Sequence, residues 1–162
     1  MALGLGYPEK LLDSLPAISV EAMAGVSNVS IFATIPPGST VMDLGCGAGV
    51  DTLIAAGKTG PAGKVLGVDF SPAMLARARQ GAAESGATNV AFFESGGESL
   101  PLPDASVDVA LFNGVFNLNL DRNGLFSELF RVLRTGGTVY GAELILREPI
   151  SDADMESANW FA

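Results

Sequence analysis

From residue 40 onward the sequence alternates short apolar runs with segments of helical spacing, and this alternation restricts the fold more than any other feature. "TVMDL" (40–44), "KVLGVDF" (64–70), "NVAFFE" (89–94), "VDVALFN" (107–113) and "TVYGAELIL" (138–146) read as strands. They are apolar along most of their length rather than at every second residue, as in strands covered on both faces of a parallel sheet. The helices between them have chemical starts and stops. Ser71 stands at an N-cap and Pro72 at the first helical position of "SPAMLARARQGAAESG", which Gly86 closes. "DRNGLFSELFRVLRTGG" sets Leu125, Leu129, Val132 and Leu133 on one face and is expected to stop at Gly136 and Gly137. "VDTLIAAGKTGPAG" follows Gly49 as a shorter helix. Right-handed crossovers turn this order into a doubly wound, mainly parallel α/β sheet with helices on both faces. Residues 8–34 carry two or three short helical pieces instead. They are expected to cap one edge of the sheet, either closing on a ligand or covering core. The expected division is a cap over 1–38 and a sheet domain over 39–162, together one compact unit.

The glycine-rich stretch "VMDLGCGAGVD" falls where the first strand ends and a helix begins. Gly45, Gly47 and Gly49 allow a sharp turn and bring a ligand close to the backbone, while the helix N-terminus offers free N–H donors. In a doubly wound sheet, ligands bind beyond the carboxyl ends of the strands, where this loop lies. The G-x-G-x-G spacing differs from the dinucleotide pattern G-x-G-x-x-G, because Val50 stands three residues after Gly47. Asp69 ends the second strand, where an acid accepts both hydroxyls of a ribose. The alternative for Asp69 is an acid placed near the start of the Ser71 helix by the helix dipole. Asp43 either orients the loop N–H groups or faces a bound ammonium or ribose.

Composition removes several kinds of chemistry. The chain has no histidine and one cysteine, which leaves no cysteine-based zinc site and no internal disulfide. No carboxylate cluster replaces those ligands, so no metal is expected. Nine basic residues against eighteen acidic ones give a net charge of −9, which disfavours nucleic acid as a partner. No run approaches the ~20 apolar residues of a membrane span, and the N-terminus lacks the pattern of a signal peptide. A cytoplasmic location with no membrane partner is expected. Cys46, inside the glycine loop, reads as a small filler rather than a nucleophile.

Several motifs in order resemble the class I S-adenosylmethionine-dependent methyltransferases. "VMDLGCGAG" resembles the family's first motif, "GVDFSPAML" its second and "GGESLPLPDASVDVALFNGVF" its third and fourth, while "RVLRTGGTVY" leads into the fifth. The resemblance implies a Rossmann-like fold and S-adenosylmethionine as cofactor, with S-adenosylhomocysteine as product. It implies that Asp43, Gly45 and Gly47, with Gly49 completing the loop, hold the methionine part. Asp69 would hold the ribose, and Phe70 and Met74 would lie against the adenine. Gly97 and Glu98 match the segment whose backbone meets the adenine edge. Many members carry an Asp where this chain has Gly96. Asn113 falls where the methyl group meets its acceptor.

Within that family the sequence is most similar to arsenite methyltransferases and the related quinone C-methyltransferases. "LGYPEKLLDSLPAISVEAMAGVSN" and "FNGVFNLNLDR" carry this likeness. In the arsenite enzymes, cysteines of both segments bind arsenic; the matching positions here are Val26 and Gly114, so arsenite is an unexpected substrate. The expected acceptor is a small molecule, methylated by in-line transfer governed by positioning. Asn113 and Glu143 are the candidate catalytic residues; Asp13, Glu21 and Tyr7 could approach from the cap. Family members continue after the fifth strand with another helix and an antiparallel strand pair. Here "SDADMESANWFA" ends the sequence, so those strands are expected to be missing. An open sheet edge would then favour a homodimer. The alternative to an enzyme is a module that holds the cofactor or its product without turnover, or a truncated methyltransferase domain.

Overall fold

The computed structural model describes residues 2–119 and 121–145. Its five strands are β1 (Thr40–Leu44), β2 (Lys64–Asp69), β3 (Val90–Glu94), β4 (Val107–Asn113) and β5 (Leu133–Ala142). They form one sheet in the order β3-β2-β1-β4-β5, and every neighbouring pair is parallel. Strand order reverses between β1 and β4, which opens a crevice at their carboxyl ends.

Alternate residues of each strand feed opposite faces of the sheet. Met42 and Leu44 of β1 join Leu66, Val68 and Ala110 in a cluster with Leu125, Leu129 and Val132 of α6 (Arg122–Val132). Val41, Val65, Val109 and Leu111 face the other way, onto Ala55 and Ala56 of α4 (Val50–Thr59). The sheet is thus covered on both sides, as the continuous apolar runs require. Ser71 caps α5 (Pro72–Glu84) by accepting from the Met74 N–H at 3.4 Å.

The N-terminal region contains a 3-10 turn (Ala2–Leu5) followed by α1 (Glu9–Leu12), α2 (Ala17–Glu21) and α3 (Val29–Phe32). Its α3 reaches the β5 edge of the sheet, where Phe32 meets Tyr140 edge-to-face, and the rest of the region extends beyond that edge, to α4 and α5. Tyr7 and Leu12 pack on Val50 and Ile54 of α4, α2 contacts α5, and Val29 and Ala33 enter the cluster under α4. The Lys58 ammonium fastens this region by donating to the carbonyls of Ser30, Ile31 and Ala33 at 2.7, 2.9 and 2.9 Å. The cap therefore lies along α4 and over the glycine loop.

The last helix and strand also depart from expectation. α6 ends at Val132 rather than at Gly136 and Gly137, because Leu133 already pairs with Val107 of β4. The glycines sit instead in a register shift, after which Thr138 pairs with Val109. β5 ends at Ala142; residue 146, the expected last residue of the strand, and all of "SDADMESANWFA" lie outside the described residues. Among the described residues no helix is long and apolar enough to cross a membrane.

Leu125 is fully buried where α6 meets the sheet. Leu125→Ala should lower the unfolding free energy by about 2–5 kcal/mol, measured by urea titration. A loss below about 1 kcal/mol would contradict the packing described for this face.

Candidate functional site

β1 delivers the chain directly into the glycine turn. The N–H groups of Gly45 and Cys46 both donate to the Val68 carbonyl of β2, at 2.7 and 3.0 Å, which bends the loop over the end of the sheet. Gly45 has φ 69° and its missing side chain leaves room for Val115. Gly47 has φ 52°, and a Cβ there would meet no atom within 4 Å. Its bare face borders a cavity of about 610 Å³, within the ~300–1,000 Å³ range of small-ligand sites. Gly49 does not line this cavity. It starts α4 and brings that helix against α5, since a Cβ there would stand 3.3 Å from Ala78 Cβ.

Three carboxylates surround the turn: Asp43, Asp51 and Asp69 are 2%, 7% and 7% exposed. All three line the cavity, and no basic side chain does among the described residues. Asp43 accepts from Thr52 Oγ1 at 2.6 Å. Burial first, then the neighbouring Asp51 charge, push its carboxyl up to about 7. Asp69 accepts from the Gly47 and Ser71 N–H groups, each at 2.8 Å, so it ties the glycine turn to the start of α5. Cys46 is buried, and that burial raises its thiol above the usual range, which keeps it unreactive.

Asp51 is the functional residue that the sequence reading passed over. Its carboxylate accepts from Tyr7 Oη at 2.7 Å, from the Ser30 hydroxyl and N–H, and from Asn113 Nδ2 at 2.9 Å. Burial and this acid raise the Tyr7 phenol well above its ordinary range. The readable signal was an acid in the first turn of the helix that follows the glycine loop, the place the helix dipole favours.

Asn113 holds the cap to β4. Its Oδ1 accepts from the Val26 and Ser27 N–H groups at 2.8 and 3.0 Å. Its Nδ2 donates to the Ser27 carbonyl at 2.6 Å as well as to Asp51. The side chain borders the cavity with no hydrogen-bonding group left free. Gly25 comes so close that a Cβ there would stand 2.5 Å from Asn113 Nδ2. Positions 26 and 114 meet just beside it: a Cβ on Gly114 would lie 3.2 Å from Val26 Cγ1.

The remaining candidates divide. Phe70, Met74 and Glu98 line the cavity, and Phe70 is 66% exposed. Gly97 does not; its backbone passes under Leu125 with φ 98°. Glu143 lies off the cavity, accepting from the Phe116 N–H at 2.7 Å and from Asn117 Nδ2 at 3.2 Å. Asp13 and Glu21 are exposed and also do not line it. Apolar residues of the cap, Ala22, Met23 and Ala24, line the cavity together with Val115 and Leu118.

The chain is similar to known proteins in sequence and fold. A family described as a methyltransferase domain matches residues 35–159. An arsenite methyltransferase of Halobacterium salinarum is 41% identical over 148 residues, which are 91% of this chain and 38% of that protein. A demethylmenaquinone methyltransferase of Lactococcus lactis is 35% identical over 63% of this chain and 40% of its own length. The crystal structure of an arsenic(III) S-adenosylmethionine methyltransferase from Chlamydomonas reinhardtii superposes with a TM-score of 0.76 at 33% identity. That match covers 83% of this chain and 47% of the other. The chain spans less than half the length of these relatives.

Asn113→Ala leaves the Val26 and Ser27 N–H groups without their acceptor. It should destabilise the protein by about 1–3 kcal/mol and speed amide exchange around residues 25–28 before the sheet responds. Unchanged exchange in that segment would show that Asn113 does not fasten the cap.

Proposed function

The chain belongs to the class I S-adenosylmethionine-dependent methyltransferases, whose cofactor is S-adenosylmethionine, and from that premise we propose that it methylates a small apolar acceptor. The observation that carries the cofactor part of this reading is the set of three buried carboxylates in a cavity that, among the described residues, no basic side chain lines. A ligand bearing an ammonium and a sulfonium supplies the missing positive charge.

On this reading Asp43 faces the ammonium, and the glycine turn lets the methionine part lie against backbone. Asp69 takes the ribose hydroxyls in exchange for part of its present bonding to Gly47. Phe70 and Met74 offer an apolar wall to the base. The cofactor supplies a methyl group already activated on a sulfonium, so the chain's task is alignment and exclusion of water. Met23 and Leu118, apolar side chains that both line the cavity, serve that exclusion.

The three buried acids at the cavity all accept from protein donors, and the reading assigns none of them as a strong base for the acceptor. The reading therefore favours a soft or already ionised nucleophile, small and apolar enough to pass between Val115 and the cap. Arsenite held by thiols does not suit positions 26 and 114, where a valine packs beside a glycine. The saturated bonding of Asn113 and the distance of Glu143 from the cavity favour a second reading, a module that holds cofactor or product without turnover. A cytoplasmic location and the absence of a nucleic-acid partner belong to the proposal, in keeping with the net charge of −9.

Asp69→Ala should weaken S-adenosylmethionine binding by roughly tenfold or more in calorimetry, with the fold kept by circular dichroism. Unchanged affinity would remove the ribose assignment. Incubation with arsenite, a thiol and S-adenosylmethionine should yield no methylated arsenic above the protein-free control. Turnover there would overturn the reading of positions 26 and 114.

A further inference from the structure

The sheet has two outer edges, β3 and β5, and they are finished differently. An unpaired edge is a template for another strand, and proteins commonly block it with charged side chains, proline or a covering segment. At β3 the Arg79 guanidinium reaches across from α5 to donate to the Phe92 carbonyl at 3.1 Å, and Glu94 ends the strand. β5 has no such guard. Its regular part, residues 138–142, reads "TVYGA", without a charge or a proline. The Gly114 N–H donates to the Ala142 carbonyl at 2.9 Å, so residues 138, 140 and 142 turn their peptide groups to β4. Val139 and Gly141 turn theirs outward, and among the described residues nothing pairs with them.

Apolar side chains flank this edge on both faces of the sheet. On one face Phe32 of α3 meets Tyr140, with ring centroids 6.4 Å apart. On the other, the Phe112 ring lies over Gly141 and leads through Phe116 to Phe126 of α6. Phe130 follows one turn along that helix and is 84% exposed. Val139 is exposed on the same face, and Leu144 and Ile145 continue the apolar surface past the end of the strand. Nine large apolar side chains are exposed among the described residues, and these account for six of them. Of the others, Phe70 and Leu118 line the cavity. With ~200 Å² per large side chain, the six expose roughly 700 Å², close to the ~800 Å² that each partner buries in a stable complex. The largest patch on an ordinary monomer is ~300–600 Å².

Charge favours a second copy of this chain as the occupant. The chain carries a net charge of −9, yet residues 122–142 contain one acid, Glu128, which is paired with Arg131. Arg134 is in turn paired with Asp108. The edge is free of the acidic surplus that elsewhere keeps two copies apart. We propose that β5 is the interface of a homodimer, in which it pairs antiparallel with β5 of a second copy. A twofold axis beside Tyr140 sets the outward peptide groups of Val139 against those of Gly141 of the second copy, so the edge is its own complement. The two sheets then continue as one, with Phe32, Phe126 and Phe130 of each copy against the join.

Sedimentation velocity of the whole chain over about 1–100 µM tests this pairing. The wild type should pass to twice the mass of one chain within that range. Val139→Pro removes an outward N–H and spares the ladder to β4, so it should weaken the dimer by roughly tenfold or more with circular dichroism unchanged. Phe130→Asp should weaken it as well, by placing a charge on the apolar rim, and should leave urea stability unchanged because the ring is exposed. Leu3→Asp, at an exposed leucine of the N-terminal 3-10 turn, should leave the dimer intact. A wild type that stays monomeric at about 100 µM would overturn the proposal. So would a dimer that neither Val139→Pro nor Phe130→Asp weakens, because its interface lies elsewhere. A monomer whose stability falls with Phe130→Asp would show this face covered within one chain, and overturns the proposal too.

Discussion

Burying a carboxylate without a basic partner is unfavourable, and among the described residues this happens three times around one glycine turn. The surrounding structure offsets the penalty with donors that carry no full charge. Thr52 serves Asp43, the Gly47 and Ser71 N–H groups serve Asp69, and Tyr7, Ser30 and Asn113 serve Asp51. These bonds also build the site, because each acid fixes a different set of segments. Asp43 joins β1 to α4, Asp69 joins the glycine turn to α5, and Asp51 joins α4 to the cap and to β4. The residual negative field is then available to a cationic ligand rather than being cancelled internally.

Hydrogen bonding does not remove the strain fully, and Asp43 records what is left. Its carboxyl is pushed up to about 7 from an ordinary 3.8. The folded state therefore holds this proton more tightly than the unfolded chain does. The stability this contributes is fully present below about 3.8 and is lost as pH rises through about 7. A ligand cation beside Asp43 reverses the preference by favouring the ionised form. Cofactor binding and release of a proton are coupled in this account, through a residue that borders the cavity and is bonded to the helix behind it.

The sheet and the glycine turn were legible in the sequence because each depends on neighbours along the chain. β1 and β4 occupy the residues that their apolar runs indicated, and Ser71 with Pro72 marked the start of α5. The end of α6 was not legible: Gly136 and Gly137 resemble a helix stop, yet the pairing of Leu133 with Val107 ends the helix earlier. The cap was harder still. Its position rests on Tyr7 reaching Asp51 and Asn113 reaching residues 26 and 27, contacts between segments far apart in the chain. Local pattern has no means of announcing such pairs, so neither the reach of the cap along α4 nor the bonding of Asp51 is legible in the sequence. Asn113 was placed at the right strand end, but what saturates its amide is visible only in three dimensions. Glu143 was similarly assigned by strand position, and the fold uses it instead to hold the loop after β4.

The central claim is that the cavity is built to receive positive charge next to Asp43. Calorimetric titration with S-adenosylmethionine at several pH values from about 5.5 to 8 tests it, with each point repeated in buffers of different ionisation enthalpy. The account predicts that a proton is released on binding below about pH 7, so that affinity rises with pH and levels off above that value. Affinity that is flat or falls across this window, with no proton released, would contradict it.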